Sequence, residues 1–74
     1  MADKSVRDRV RDEVEDELRR TARPLHAREL ATLVLPRLGL SAQLTPKDLN
    51  TALHDDPKAR FFRVARATWS LKRP

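Results

Sequence analysis

Few side chains in this 74-residue sequence have the types and spacing that catalysis or metal binding requires. The chain has no cysteine, and its two histidines alone cannot form a zinc site with the usual four ligands. No serine or aspartate stands at a spacing from His26 that suggests a catalytic triad, and there is no glycine-rich phosphate loop. His26 is interpreted as a residue at a helix start. The sequence therefore predicts a protein that is not an enzyme and uses no metal, cofactor or small-molecule substrate.

The basic side chains offer a different chemistry, which is the binding of a polyanion. The formal net charge is +5, yet residues 1–20 carry six basic and seven acidic side chains, whereas residues 21–74 carry ten basic and four acidic ones. From Lys58 onward all ionisable side chains are basic. Such a one-signed segment attracts nucleic acid through its phosphates. The residues expected to contact DNA here are Lys58, Arg60, Arg63, Arg66, Lys72 and Arg73.

A predicted helix over 46–54 carries the groups that could read bases. Thr45 and Pro46 are typical of a helix start, and the apolar residues of this segment fall on one side. The other side is expected to contact DNA through Lys47, Asn50, Thr51 and His54. Asparagine can pair with adenine through two hydrogen bonds, and lysine can reach guanine. For His54, contact with DNA and simple solvent exposure remain equally open.

Two further helices and a hairpin must position these residues. A helix is predicted over 5–20 from the four-residue repeat of Val6, Val10, Val14 and Leu18. A second is predicted over 26–35, with Pro36 expected to end or kink it and Gly39 suited to a left-handed conformation after its end.

From residue 60 to 72 the apolar period changes to two, which predicts a β-hairpin with Arg66 at its tip. Phe62 and Trp69 are expected to be core residues, and Phe61 is expected on the opposite, partly exposed face. Residues 1–74 then form a single domain, mainly α with a small β-hairpin. This order, three helices plus a C-terminal two-stranded wing, is that of a winged helix-turn-helix.

The sequence also resembles a known family, the HARE-type helix-turn-helix domains. The resemblance covers roughly residues 20–72 and is carried by Arg23-Pro24-Leu25-His26, Glu29-Leu30, Thr45-Pro46, Leu49-Asn50-Thr51-Ala52-Leu53, Arg60-Phe61-Phe62-Arg63-Val64 and Thr68-Trp69-Ser70-Leu71. It implies a DNA-associated module of the kind attached to restriction enzymes, chromatin regulators and bacterial transcription proteins, including the delta subunit of bacterial RNA polymerase. The wing turn departs from the family pattern, because Ala65-Arg66-Ala67 stands where glycine is usual.

Two functions follow as hypotheses. The first is binding of double-stranded DNA through helix three and the wing, in a recruiting domain for transcription, chromatin or restriction and modification. The alternative is a protein-interaction winged helix that docks on RNA polymerase or another nucleic-acid-processing assembly through the acidic helix one or helix two. No apolar stretch is long enough to span a membrane and no export signal is indicated, so a cytoplasmic, nucleoid-associated location, or a nuclear one in a eukaryote, is expected.

Overall fold

The first helix, α1 (Val6–Thr21), begins at a side-chain cap. In a computed structural model, which describes residues 5–72, the Ser5 hydroxyl accepts a hydrogen bond from the Asp8 backbone N–H at 3.1 Å. Val10, Val14 and Leu18 form the buried stripe of the helix. Val6, the first residue of the predicted stripe, lies at the exposed end. The helix ends where Ala22 adopts a left-handed φ of 55°.

The second helix, α2 (Ala27–Leu38), begins at His26 and runs through a proline. His26 Nδ1 accepts from the Arg28 backbone N–H at 3.0 Å, while the Glu29 carboxylate accepts from the His26 N–H at 3.4 Å. The predicted end at Leu35 was wrong, because the helix continues for three residues to Gly39, which has a φ of 69°. Pro36 removes only one N–H, and both it and Thr32, whose carbonyl loses that donor, are exposed to water.

The third helix, α3 (Pro46–His54), has reciprocal caps at its start. Thr45 Oγ1 accepts from the Asp48 backbone N–H at 3.2 Å, and Asp48 Oδ2 accepts from the Thr45 N–H at 2.9 Å. Pro46 occupies the first turn, where no N–H is needed. Leu49, Ala52 and Leu53 are buried, so the helix presents its remaining residues outward.

The wing strands are β2 (Phe61–Ala65) and β3 (Thr68–Leu71), which pair antiparallel. A third strand that the sequence had not predicted, β1 (Leu25–His26), pairs antiparallel with the other edge of β3. The sheet order is β1-β3-β2, and it places Leu25 opposite Trp69. Three helices and this sheet confirm the predicted winged helix-turn-helix.

The prediction for the two phenylalanines was wrong, because they occupy each other's expected positions. Phe61 is 5% exposed and belongs to the core, whereas Phe62 is 41% exposed. The register explains the exchange: Phe61 pairs with Leu71, while Phe62 pairs with Ser70 on the other face of the sheet. Trp69 is 4% exposed, which confirms it as a core residue. It joins the sheet to an aliphatic core formed by all three helices.

Candidate nucleic-acid interface

The outward side of α3 forms one continuous stripe. Lys47 and His54 are exposed, and Asn50 and Thr51 between them are partly buried. Residues three, four and seven apart share a helix face, so these four side chains lie on the same side of α3. The Thr51 hydroxyl donates to the Lys47 carbonyl at 3.1 Å, which leaves its oxygen lone pairs as outward acceptors. The helix can therefore present both donors and acceptors to a ligand.

Asn50 is held by the sheet. The Trp69 indole N–H donates to Asn50 Oδ1 at 2.8 Å, across a separation of nineteen residues in sequence. Trp69 is buried on β3, so its hydrogen bond ties the middle of α3 to the wing. No local pattern around either residue predicts this contact. Sequence reasoning identified Asn50 as a site residue and Trp69 as a core residue but missed that one orients the other.

Arg63 lies on the wing strand directly opposite Trp69 in the register. Side chains that are paired across two antiparallel strands project from the same face of the sheet. Arg63 is exposed, and it therefore flanks the tryptophan that contacts Asn50. In this way the structure brings a wing arginine and the outward stripe of α3 to the same side of the sheet.

The wing tip is a two-residue connection formed by Arg66 and Ala67. Ala67 has a φ of 51°, the left-handed conformation for which glycine is the usual choice. Its carbonyl accepts from the Ala27 backbone N–H at 2.8 Å, which anchors the tip to the start of α2. The Arg66 side chain is exposed at this anchored turn.

Arg60 differs from the other basic residues of this region. Its guanidinium contacts Asp56, Asp12 and Glu15 at distances of 2.8 to 3.0 Å, and its side chain is only 14% exposed. These carboxylates raise the pKa of Arg60, with the hydrogen bond to Asp56 as the largest cause. Arg60 thus joins the start of β2 to α1. Its predicted contact with DNA remains untested.

Five cations around α3 and the wing have no such partners. Within residues 5–72, the structure records no side-chain hydrogen bond or ion pair for Lys47, Lys58, Arg63, Arg66 or Lys72, and all five are exposed. Arg73 lies outside the described residues. By contrast, each carboxylate of α1 lies within 3.8 Å of an arginine nitrogen. Net charge that is not neutralised inside the fold is therefore mainly positive, on α3 and the wing.

The acidic residues next to the stripe on α3 are occupied as well. The backbone N–H of Thr45 lowers the pKa of the capping Asp48, and the Thr45 hydroxyl adds to this effect. The carboxylate of Asp55 lies 2.9 Å from His54 Nδ1, and this hydrogen bond lowers the pKa of Asp55. His54 is therefore part of a His–Asp pair at the end of the helix.

The described residues contain neither a metal-binding cluster nor a membrane-spanning helix. Among residues 5–72, no group of three or more histidine, aspartate or glutamate side chains is arranged to hold a metal ion. In the same part of the chain, no helix combines the length and the apolar character that crossing a bilayer requires.

The family comparison agrees with this geometry. Residues 17–73 match the HARE-HTH family, described as an HTH domain of ASXL and restriction endonuclease proteins, and the chain belongs to this family. No curated protein and no solved structure matches the chain. Helix-turn-helix domains place their second helix in the DNA major groove. Membership therefore indicates nucleic-acid binding in general terms and confirms the resemblance seen in the sequence.

Proposed function

We propose that this domain binds double-stranded DNA, with the outward stripe of α3 in the major groove and the wing on the flanking phosphates. The observation that carries the proposal is the connection from Arg63 through Trp69 to Asn50. It combines a phosphate-binding cation and a base-reading amide on one side of the sheet. Base contacts specify sequence, while phosphate contacts position the protein.

The charge distribution supports the same surface. Lys47, Lys58, Arg63, Arg66 and Lys72 are exposed and have no ion pair among the described residues, so they remain available for phosphates. We assign the phosphate contacts to these side chains, with Arg73 as a further candidate. Arg60 is left out, because removing its guanidinium from three carboxylates would leave buried charge without a partner.

The rival function, docking of a protein on the acidic α1, receives less support. Arginines already accompany each carboxylate of that helix, so a basic partner would compete with intramolecular pairs. We infer a binding module without catalytic activity, which recruits a larger protein or assembly to DNA in transcription, chromatin or restriction and modification. It would act where its DNA lies, in the bacterial cytoplasm or the eukaryotic nucleus.

A titration followed by NMR tests the proposal. Adding a short duplex should shift amide signals of α3 and of the wing, and a higher salt concentration should weaken the effect because binding depends on the release of counterions. Signals of the middle of α1 serve as the internal control and should not move. Absence of any shift at low salt, or shifts centred on α1, would contradict binding of DNA through this surface.

A further inference from the structure

We infer that Trp69 is a positioning residue that turns the Asn50 amide so that α3 reads guanine rather than adenine. The inference rests on the proposed function, since it concerns the same surface on DNA. It also changes the expectation from sequence, which had allowed Asn50 to pair with adenine. The 2.8 Å hydrogen bond between the indole and the amide carries it.

The chemistry of the two groups determines the orientation of the amide. An indole N–H only donates, and an amide nitrogen has no acceptor capacity, so Oδ1 of Asn50 must be the atom that faces Trp69. Trp69 itself is 4% exposed and is paired with Leu25 on one side and Arg63 on the other. Since the ring is packed in this way, it cannot follow the amide, and the hydrogen bond holds Asn50 in one orientation.

The consequence is a group that offers donors. The bidentate pair of asparagine with adenine needs the amide oxygen to accept from N6 and the amide nitrogen to donate to N7. Here the oxygen already accepts from Trp69, and Nδ2 remains to donate. Guanine presents two acceptors in the major groove, N7 and O6, whereas adenine presents one acceptor and one donor. Lys47, three residues earlier on the same stripe, also offers only donors.

Selection from a library of randomised duplexes provides the test. The position read by Asn50 is the one whose preference disappears in Asn50→Ala. We expect guanine there in the wild type, preferred over adenine by roughly tenfold, as for a good base contact. Trp69→Phe keeps most of the ring but removes the N–H, and it should reduce this preference to about twofold or less while leaving the salt dependence unchanged. Phe61→Leu, a buried substitution on the same sheet face, is the matched control and should keep the preference.

The outcomes separate this inference from the proposed function. A wild type that does not bind duplexes contradicts the function itself. Binding with adenine at the Asn50-dependent position, with no such position, or with a guanine preference that survives in folded Trp69→Phe, overturns the inference but leaves DNA binding intact. Should Trp69→Phe not fold, hydrogen exchange decides: the Trp69 indole proton must exchange more slowly in the wild type than in Asn50→Ala, and equal rates overturn the inference.

Discussion

Arg60 binds the carboxylate of Asp56 twice, once through its side chain and once through its backbone. Its Nε donates to Asp56 Oδ2 at 2.9 Å, and its backbone N–H donates to the same oxygen at 3.0 Å. The guanidinium also reaches Asp12 and Glu15 on α1 at 2.8 and 3.0 Å. This arginine therefore connects the end of α3, the start of the wing and the first helix.

The contact predicts an acid-sensitive contribution to stability. Burial alone would raise the pKa of Asp56, but hydrogen bonds from the Arg60 side chain and from the Arg60 and Lys58 backbones outweigh it and lower the pKa from 3.8 to about 2. A depressed pKa stabilises the fold above the unfolded value and loses this effect as pH falls through the folded value. Asp56→Asn should therefore cost about 2 kcal/mol at neutral pH.

Urea unfolding as a function of pH measures this contribution. The difference between wild type and Asp56→Asn should shrink between about pH 4 and pH 2. Asp16→Asn is the control, since its carboxylate is exposed and lies 3.7 Å from Arg19. A difference that stays constant down to the lowest pH would show that Asp56 is not held as an ion.

Arg11 should stabilise the end of α3. Its Nε donates to the Ala52 carbonyl at 2.7 Å and its side chain is buried, so Arg11→Ala leaves a helix-end carbonyl without its donor. We expect a loss of about 2 kcal/mol in the free energy of unfolding. Arg9→Ala, on the exposed face of the same helix, should change it by less than about 0.5 kcal/mol. Equal effects in denaturant titrations would contradict this role.

The two phenylalanines of β2 should differ sharply in their contribution to stability. Phe61→Ala removes a buried ring and should cost about 3–4 kcal/mol, enough to unfold much of so small a domain. Phe62→Ala removes an exposed ring and should cost less than about 1 kcal/mol. Thermal melts of the two variants compare them directly. The reverse order would mean that β2 presents its other face to the core.

Ala22 offers a stabilising substitution. This exposed residue follows α1 with a φ of 55°, a conformation that costs an L-residue about 1 kcal/mol and glycine almost nothing. We expect Ala22→Gly to raise the free energy of unfolding by about 0.5 kcal/mol. Ala65→Gly, within β2, should lower it instead. A loss of stability in Ala22→Gly would argue against the left-handed end of α1.

The sequence predicts the helices well because their determinants are local. Thr45, Pro46 and Asp48 lie within four residues of each other and together define the start of α3. Pro36 misled the prediction of α2, because a proline near an exposed helix end removes one hydrogen bond that water replaces. Contacts between distant residues leave no such local trace. The pairing of Leu25 with Trp69, which creates β1, is one of these.

The strand faces and the ionic contacts were harder for the same reason. Alternation in β2 allows two assignments, and only the register with β3 decides that Phe61 rather than Phe62 faces the core. Arg60 looks like one cation among six in the C-terminal segment, yet its carboxylate partners Asp12 and Glu15 lie on α1. Composition thus predicts a basic surface but does not reveal which of its charges the fold neutralises.

The wing arginines provide a test that depends on electrostatics alone. Arg63→Ala and Arg66→Ala should each weaken binding to all duplexes alike, because both side chains are exposed and lack partners among the described residues. Removing one arginine–phosphate interaction should lower the slope of log affinity against log salt by about one, since fewer counterions are released. Arg20→Ala removes the same charge from α1, where Arg20 pairs with Glu17, and should leave the slope unchanged. Affinities measured by fluorescence anisotropy over a salt series give the three slopes. If the wing variants match Arg20→Ala, the wing does not bind phosphate, and the contacts with DNA must be restricted to α3.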